Sequence, residues 1–330
     1  MNIKDVEKLL GSLKKSRVLV IGDVGLDNYI VGDVKKISPE APVPVVEVRD
    51  HYYRLGLSAN VANNVVALGA KCDVLGVIGD DSNAEIIKKE LKDIKVNIDG
   101  LIVDKNRPTT HKTRVLASRL HHVVRIDRED KKALSADIKT KLIKKCKDMI
   151  PKCDIVIMED YAKGLFKDGV ASEIVGLCHR AKKPVFIDPS RYTDPALYKG
   201  ATVLKPNFDE TKLICGVEIE DEKTLLRCGE DLVKKFDLEY LIVTRGKEGM
   251  TVFSKKKKPH TMPTFALEVY DVSGAGDTVI AALALAYSAG ANIYDSVYFA
   301  NTAAAIVVGK VGTAVATPDE IIKFLQEHKS

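Results

Sequence analysis

Cysteine is scarce and scattered in this sequence of 330 residues. No two cysteines form a C-x-x-C pair, and no histidine lies near any of them at metal-ligand spacing. This pattern argues against a disulfide framework and against a zinc site, and it predicts reduced thiols that pack mostly as small buried hydrophobes. The cysteines are Cys72, Cys146, Cys153, Cys178, Cys215 and Cys228.

Apolar runs of membrane-spanning length are also missing. The N-terminal segment, residues 1–10, is charged and amphipathic, which predicts a short helix rather than a signal peptide. We therefore expect a cytoplasmic protein. The hydrophobic content of 45% allows a core that needs no disulfide or metal to fold.

Neither sign of charge dominates, because 51 Lys and Arg stand against 46 Asp and Glu for a net charge of +5. The basic residues are spread along the chain, and no basic-aromatic module for nucleic acid is present. The composition favours an anionic small molecule as partner, and neither nucleic acid nor a membrane.

Short β-branched runs alternate with longer helical patterns over most of the chain. This order predicts a mostly parallel sheet covered by helices on both faces, an α/β three-layer sandwich formed by residues 1–330 as a single domain. The predicted strands cover residues 17–22, 72–78, 154–158, 184–188, 201–204 and 240–244. The predicted helices lie near residues 59–69, 82–93, 134–149, 169–182, 221–237, 278–289 and 293–309.

Two stretches, roughly residues 29–55 and 107–127, interrupt this alternation. They carry period-2 patterns with no helix between them, which predicts a small antiparallel sheet that projects from the main one as a lid. One of its strands contains Ala41-Pro-Val-Pro-Val-Val46, an apolar segment that is awkward at an open sheet edge. We therefore expect a homodimer in which two lids pack together.

The segment Asp271-Val-Ser-Gly-Ala-Gly-Asp277 leads directly into a small apolar helix. Glycines let the backbone approach a ligand closely, and the start of a helix presents free amide N–H groups to an anion. We expect the amides of Gly274, Ala275 and Gly276 to hold a transferring phosphoryl group, and Asp277 to take a proton from the attacking hydroxyl. The alternative is that Asp277 only caps the helix and that the glycines only turn the chain.

Two common nucleotide-binding fingerprints are missing. No G-x-x-x-x-G-K-[ST] pattern is present, and Gly22-Asp-Val-Gly-Leu-Asp27 after the first strand lacks the full G-x-G-x-x-G pattern. The main sequence evidence for a nicotinamide-dependent dehydrogenase is therefore missing.

An Asp-x-x-Gly-Ala-Gly-Asp segment before an Ala-rich helix, late in an α/β chain of this length, resembles the C-terminal signature of the ribokinase-like, or PfkB, carbohydrate kinases. The resemblance covers essentially the whole chain. It implies a ribokinase-like fold, ATP as the phosphoryl donor, Mg²⁺ as the metal and a sugar hydroxyl as the acceptor.

Two early segments extend the resemblance to the sugar side. Gly22-Asp-Val-Gly-Leu-Asp27 is similar to the family's first-strand loop, which implies that Asp27 binds sugar hydroxyls. Gly56-Leu-Ser-Ala-Asn60 is similar to the family's Gly-Gly-x-x-x-Asn element, which implies that Asn60 positions the sugar, although Leu57 replaces the second glycine. From the residues alone, Asp27 could cap a loop and Asn60 could be an ordinary helix N-cap.

Three later segments resemble the family's nucleotide side. Lys205-Pro-Asn207-Phe-Asp-Glu210 matches the Asn-x-x-Glu motif, which implies that Glu210 and Asn207 support Mg²⁺ through water. The alternative for Glu210 is a charge at a helix N-terminus. The residues implied to contact the phosphates or the adenine are Thr244, Arg245, Gly246, Gly249 and Asn301.

Four further segments narrow the resemblance to one kind of kinase within this family. They are Ile37-Ser-Pro-Glu-Ala-Pro-Val-Pro-Val-Val46, Pro108-Thr-Thr-His-Lys-Thr-Arg114, Glu159-Asp-Tyr-Ala-Lys163 and Val269-Tyr-Asp-Val-Ser-Gly-Ala-Gly-Asp277. Together they resemble the heptose 7-phosphate kinases that make the ADP-heptose precursor of lipopolysaccharide core. This implies phosphorylation of the anomeric hydroxyl to a 1,7-bisphosphate, by a stand-alone kinase or by the kinase half of a longer chain.

Two other functions stay open. One is a ribokinase-like kinase for another sugar, phosphosugar or nucleoside, and the other is a catalytically silent sensor of a sugar phosphate or a nucleotide.

Several charged residues are candidates for contacting the substrate. Asp160 is similar to a sugar-binding residue of the family. Lys112, Arg114, Arg125 and Lys163 suit a distal phosphate by their charge and donor geometry, although each could instead be a solvated charge. Nearby histidines are expected to be ordinary polar strand residues, namely His111, His121 and His122.

Overall fold

The computed structural model describes residues 1–117, 121–266, 269–310 and 312–328. The helices in these ranges are α1 (Ile3–Leu13), α2 (Ser58–Ala67), α3 (Ser82–Asp93), α4 (Ala136–Met149), α5 (Val170–Arg180), α6 (Phe208–Cys215), α7 (Glu222–Lys235), α8 (Ala275–Ser288), α9 (Ile293–Val308) and α10 (Pro318–Glu327). The strands are β1 (Arg17–Gly22), β2 (Val24–Ile37), β3 (Pro44–Leu57), β4 (Lys71–Ile78), β5 (Asn97–Val103), β6 (Thr110–Ala117), β7 (His121–Arg128), β8 (Ile155–Glu159), β9 (Val185–Asp188), β10 (Val203–Leu204), β11 (Tyr240–Thr244), β12 (Met250–Ser254) and β13 (His260–Met262).

The main sheet has nine strands in the order β13-β12-β11-β10-β9-β8-β1-β4-β5. Every neighbouring pair from β11 to β5 is parallel, whereas β12 and β13 add antiparallel strands at one edge. The carboxyl ends of the parallel strands therefore meet at one edge of the sheet, where ligands bind in open α/β folds.

The residues of β1 show why the sheet is covered on both faces. Val18 and Val20 lie in one apolar core, while Leu19 and Ile21 lie in the other, and all four are fully buried. Successive side chains of a strand point to opposite faces, so a continuous apolar strand requires two helical layers. Helices α1, α2, α3, α8, α9 and α10 cover one face, and α4, α5 and α7 cover the other. The predicted three-layer sandwich is confirmed.

A second sheet of four strands has the order β3-β2-β6-β7. Its outer pairs are antiparallel, and its central pair, β2 with β6, is parallel. This is the small sheet expected from residues 29–55 and 107–127, and β2 begins five residues earlier than that range, at Val24. Residues 118–120 of the expected lid lie outside the described residues.

All six cysteines are free, and five of them are buried, as expected for reduced thiols that pack as hydrophobes. Within the described ranges, every helix is too short or too polar to cross a lipid bilayer.

Some helices and strands of the structure were not predicted from the sequence. Strands β5, β12 and β13 and helices α6 and α10 were not predicted, although the apolar residues of α10 recur with clear helical spacing. Both helices begin with a capping box, Asn207 with Glu210 and Thr317 with Glu320, and this local signal could have located them.

Two helix-interior glycines allow a matched test of core packing. A Cβ atom added at Gly229 in α7 would lie 2.4 Å from ring atoms of the buried Phe253, whereas one at Gly176 in α5 would meet only the Arg180 guanidinium at 3.4 Å. We expect Gly229→Ala to destabilise the fold by about 1–3 kcal/mol through overpacking. Gly176→Ala should stabilise it by about 0.5–1 kcal/mol, because alanine loses less entropy in a helix. Urea denaturation of both variants measures this, and equal shifts in the same direction would contradict the packing at Phe253.

Candidate active site

Helix α8 begins at the glycine-rich turn. Gly274 precedes the helix with a φ of +77°, a left-handed conformation that glycine adopts at little cost. A Cβ atom there would lie 3.0 Å from the side-chain nitrogen of Asn60, so glycine also leaves room for that side chain. The Asp271 carboxylate accepts hydrogen bonds from the backbone N–H groups of Ser273 (2.8 Å) and Gly312 (3.0 Å), which hold the turn in place.

The first amides of a helix lack intrahelical partners, so the start of α8 is suited to bind an anion. The N–H of Ala275 donates to the carbonyl of Val272 at 3.2 Å, which occupies one of the three amides expected to hold a phosphoryl group. Gly276 faces a cavity, and a Cβ atom there would lie 3.8 Å from both Asp188 Oδ2 and Lys205 Nζ.

Asp277 is the third residue of α8, and it is buried. The Tyr161 hydroxyl donates to its Oδ1 at 2.7 Å, and the Asn60 side-chain amide donates to its Oδ2 at 2.6 Å. Burial raises the pKa of Asp277 to about 6, although both donors favour the charged form and lower it. Both carboxylate oxygens thus bind side chains from other elements, so the carboxylate does more than cap its own helix.

Asn60 lies in the first turn of α2, after Leu57, which holds the N-cap position. The N-cap alternative for Asn60 is therefore wrong. Leu57 has a φ of 55°, in the left-handed region that favours glycine. The chain thus keeps a glycine-like backbone where leucine replaces the glycine, and Asn60 still reaches Asp277.

Asp27 lies in β2 and is buried. The Arg114 guanidinium, from β6, lies 2.6 Å from its Oδ1. Asp27 is thus part of a strand and an ion pair rather than a loop cap. Lys112 and Asp27 are register partners on neighbouring strands, which brings together three residues predicted on the sugar side.

The turn after β8 connects the sugar side to Asp277. The carboxylate of Asp23 accepts hydrogen bonds from the backbone N–H groups of Tyr161 (3.1 Å) and Lys163 (3.0 Å). Asp160 accepts hydrogen bonds from the Ala162 N–H (2.7 Å) and from the Tyr198 hydroxyl. Asp160 and Tyr161 line the cavity that also contains Asp277. This turn is therefore tied to β1 and β2 while it contributes side chains to the site.

Two adjoining cavities lie at the carboxyl edge of the main sheet. The first, of about 640 Å³, contains Asp277 together with Asn207, Glu210, Thr244, Arg245 and Gly246. The second, of about 340 Å³, is mostly apolar and contains Thr244, Gly246, Gly249 and Asn301. The two cavities share a wall that includes Gly276. All the residues predicted to contact the nucleotide therefore lie close to the start of α8.

Three of these residues have structural partners that the sequence did not reveal. The Arg245 guanidinium pairs with Glu222 at 2.8 Å and with Glu248, so its charge is already compensated. A Cβ atom at Gly249 would lie 2.0 Å from the carbonyl oxygen of Met262, which explains the glycine by packing. The Asn301 side-chain amide donates to the carbonyl of Pro263 at 2.7 Å.

Asn207 and Glu210 form a capping box at the start of α6. The Asn207 N–H donates to Glu210 Oε2 at 2.9 Å, and the Glu210 N–H donates to Asn207 Oδ1 at 2.8 Å. Burial raises the pKa of Glu210. Glu210 therefore lies at a helix N-terminus, as the alternative expected, and its side chain also lines the larger cavity.

A group of charged residues that line this cavity was not identified from the sequence. Lys205 Nζ lies 2.7 Å from Asp188 Oδ2, and the nearly inaccessible Glu159 has one carboxylate oxygen with no hydrogen-bond partner in the part of the chain described. Burial raises the pKa of Glu159 well above its usual range, and repulsion from Asp188 and Asp277 raises it further. These residues stand at or just after the ends of parallel strands, and that position was the available signal.

The oxygen-rich cavity fits a hard divalent cation that is bound mainly by substrate. Mg²⁺ commonly uses one or two carboxylates together with phosphate oxygens and waters. Glu159, Asp188 and Glu210 face this space, whereas no cluster of three or more His, Cys, Asp or Glu forms an all-protein metal cage within the described residues.

A buried carboxylate beside an amide-rich helix start, at the carboxyl edge of a parallel sheet, defines a site suited to phosphoryl transfer. Residues 15–320 match the family model described as pfkB family carbohydrate kinase, and the chain belongs to this family. The family predicted from the sequence is confirmed.

Several relatives carry the name Bifunctional protein HldE. The protein from Desulfatibacillum aliphaticivorans is 42% identical over 311 residues, which cover 94% of this chain and 63% of that protein. The protein from Geobacter sulfurreducens is 39% identical over 325 residues, covering 98% of this chain and 66% of that protein. The chain thus spans slightly less than two thirds of the length of these relatives.

Solved structures confirm the ribokinase-like fold. A ribokinase from Arabidopsis thaliana, complexed with ribose and ATP, superposes with a TM-score of 0.75 at 21% identity, covering 94% of this chain and 99% of that one. Phosphofructokinase-2 from Escherichia coli superposes with a TM-score of 0.78 at 16% identity, covering 95% of this chain and 98% of that one.

Proposed function

We propose that this protein transfers the γ-phosphoryl group of ATP to the anomeric hydroxyl of a heptose 7-phosphate, which gives the 1,7-bisphosphate. The observation that carries the chemistry is the buried Asp277 carboxylate, oriented by Asn60 and Tyr161 beside the start of α8. The choice of sugar rests on the four segments that resemble heptose 7-phosphate kinases and on the relatives named HldE.

In this proposal Asp277 accepts the proton of the anomeric hydroxyl. The hydroxyl oxygen forms a bond to the γ-phosphorus, the bond from that phosphorus to the bridging oxygen breaks, and ADP leaves with the electron pair. The amides at Gly274 and Gly276 hold the phosphoryl oxygens, with Ala275 shaping the turn between them. A pKa of about 6 leaves Asp277 mostly ionised at neutral pH and basic enough to accept a proton.

Other residues bind and position the two substrates. Asp27 and Asp160 accept hydrogen bonds from sugar hydroxyls, and Asn60 orients both the sugar and Asp277. Thr244, Gly246 and Asn301 contact the nucleotide, with Gly249 and Arg245 supporting its loop. Mg²⁺, when bound, would neutralise phosphate charge, and Glu210 with Asn207 would hold it through water.

A substrate panel with Asp277→Asn tests this function. We expect the wild type to phosphorylate heptose 7-phosphate faster than fructose 1-phosphate, ribose or adenosine. Asp277→Asn should lower kcat by about 10²–10⁴-fold because the base is lost. A coupled assay for ADP measures both. Faster turnover of another acceptor would reject the heptose assignment, and absence of turnover with every acceptor would favour the silent-sensor alternative.

The pH dependence of kcat/KM tests the environment of Asp277. The base must be ionised, so we expect kcat/KM to fall tenfold per pH unit below an apparent pKa near 6. Tyr161→Phe removes a donor that favours the charged form, so the acid limb should move to higher pH by about one unit. Tyr240→Phe is the matched control, because Tyr240 lies at the end of β11 that is remote from the cavity, whereas Thr244 at the other end lines it. This variant should leave the acid limb of the profile in place. An unmoved limb in Tyr161→Phe would contradict this role for Tyr161.

We also propose that the second sheet acts as the lid of a single kinase domain and pairs with the lid of a second subunit. Its strands expose apolar side chains, including Val48 (58%), Val124 (47%) and Ile126 (55%). Val124 and Ile126 alternate along β7 with Arg125 and Asp127, so they share the face of the sheet opposite to those charges. The predicted cytoplasmic location stays a prediction.

Sedimentation at micromolar concentration tests the dimer. We expect a dimer for the wild type and a shift towards monomer for Ile126→Lys, because a lysine would be buried in the proposed interface. Val217→Lys, at an exposed apolar residue between α6 and α7, is the control and should not alter the mass. A monomeric wild type would overturn the dimer.

A further inference from the structure

A row of charged side chains crosses the second sheet beside Asp27. The strand register aligns Arg54 of β3, Asp27 of β2, Lys112 of β6 and Asp127 of β7. Paired residues of neighbouring strands point to the same face, so these four side chains lie next to one another. Arg114 lies two residues beyond Lys112 on β6, and it therefore shares this face and reaches Asp27.

Three of the four basic residues expected to bind a distal phosphate are already paired with carboxylates. Arg114 lies 2.6 Å from Asp27, Lys163 lies 2.6 Å from Glu129, and Arg125 lies 2.9 Å from Asp127. To bind a phosphate directly, each of these would share or lose its carboxylate.

Lys112 is the exception. It is partly buried, and it makes no ion pair or hydrogen bond within residues 1–117, 121–266, 269–310 and 312–328. Burial lowers the pKa of Lys112, repulsion from Lys163 and Arg114 lowers it further, and attraction to Asp27 and Asp127 offsets part of this. A phosphate dianion beside Lys112 would supply the missing partner and relieve the repulsion between these cations.

The turn after β8 also relates Lys112 to the proposed base. Tyr161 contacts the proposed base Asp277, while Lys163 lies close enough to Lys112 to affect its pKa. The Cα atoms of residues 161 and 163 are at most about 7 Å apart, because the chain extends no further over two residues. The turn after β8 therefore contacts the proposed base through Tyr161 and comes near Lys112 through Lys163.

We propose that Lys112 binds the distal phosphate of the sugar substrate and thereby selects phosphorylated over unphosphorylated sugars. The ligand class is a phosphate monoester at the end of the sugar opposite to the reacting hydroxyl. This inference rests on the proposed function, since it requires a phosphosugar acceptor.

Arg54 provides a matched comparison for Lys112. It is a second basic residue of the same row, on the other side of Asp27, but it is exposed and its guanidinium lies over the Tyr52 ring at 5.5 Å. Replacement of either residue by methionine removes one positive charge from the row. A difference between the two variants therefore reports where the charge lies and not the net charge of the row.

The test compares kcat/KM for heptose 7-phosphate and for unphosphorylated heptose in three variants. Lys112→Met should lower kcat/KM for heptose 7-phosphate by about 10–100-fold, mainly through KM, and should affect the unphosphorylated sugar much less. Lys112→Arg should recover most of the loss, and Arg54→Met should stay within about threefold of the wild type on both sugars. Thermal denaturation verifies that each variant is folded.

The outcomes separate this inference from the heptose assignment. An unchanged preference for heptose 7-phosphate in Lys112→Met, or a loss found in Arg54→Met instead, would overturn the role of Lys112. A wild type that prefers the unphosphorylated sugar would overturn it as well. If the wild type turns over another phosphosugar instead, the heptose assignment fails, and the same comparison on that phosphosugar and its unphosphorylated form decides the role of Lys112.

Discussion

The site depends on holding one carboxylate, Asp277, inside the protein with both of its oxygens hydrogen-bonded. A buried carboxylate without donors would be strongly destabilising, because nothing replaces the water it gives up. Asn60 and Tyr161 supply the donors from α2 and from the turn after β8. Apolar residues of α2 and α8 share one core, so the packing that stabilises the fold also sets the geometry of the site.

Most other charges around the site are matched within the protein. Lys205 pairs with Asp188, Arg114 with Asp27 and Lys163 with Glu129. One oxygen of the buried Glu159 on the nucleotide side has no hydrogen-bond partner in the part of the chain described, and the ammonium of Lys112 on the lid side makes no ion pair there. A pair of substrates that brings a divalent cation to one side and a terminal phosphate to the other would complement both.

Much of the fold followed from local patterns. The strand at residues 17–22 was predicted to the residue, and a helix was predicted near residues 82–93, where it lies, because apolar runs and apolar periodicity are local signals. The parallel pairing of β2 with β6 was not predicted, since strand direction within a sheet depends on residues about 85 positions apart. Likewise, the glycines of the turn before α8 were evident, whereas the structural partners of Arg245 and Gly249 were not.

The sequence by itself determined the family, the alternation of strands and helices, and the choice of Asp277 as the central candidate. These conclusions rest on short segments whose residues are neighbours in the chain. Only the tertiary structure decided what surrounds that carboxylate, because Tyr161 and Asn60 are 116 and 217 residues away from it. It also distinguished Lys112 from the paired cations around it. Whether a charge is free or compensated depends on which side chains the sheet register brings together, and no local pattern records that.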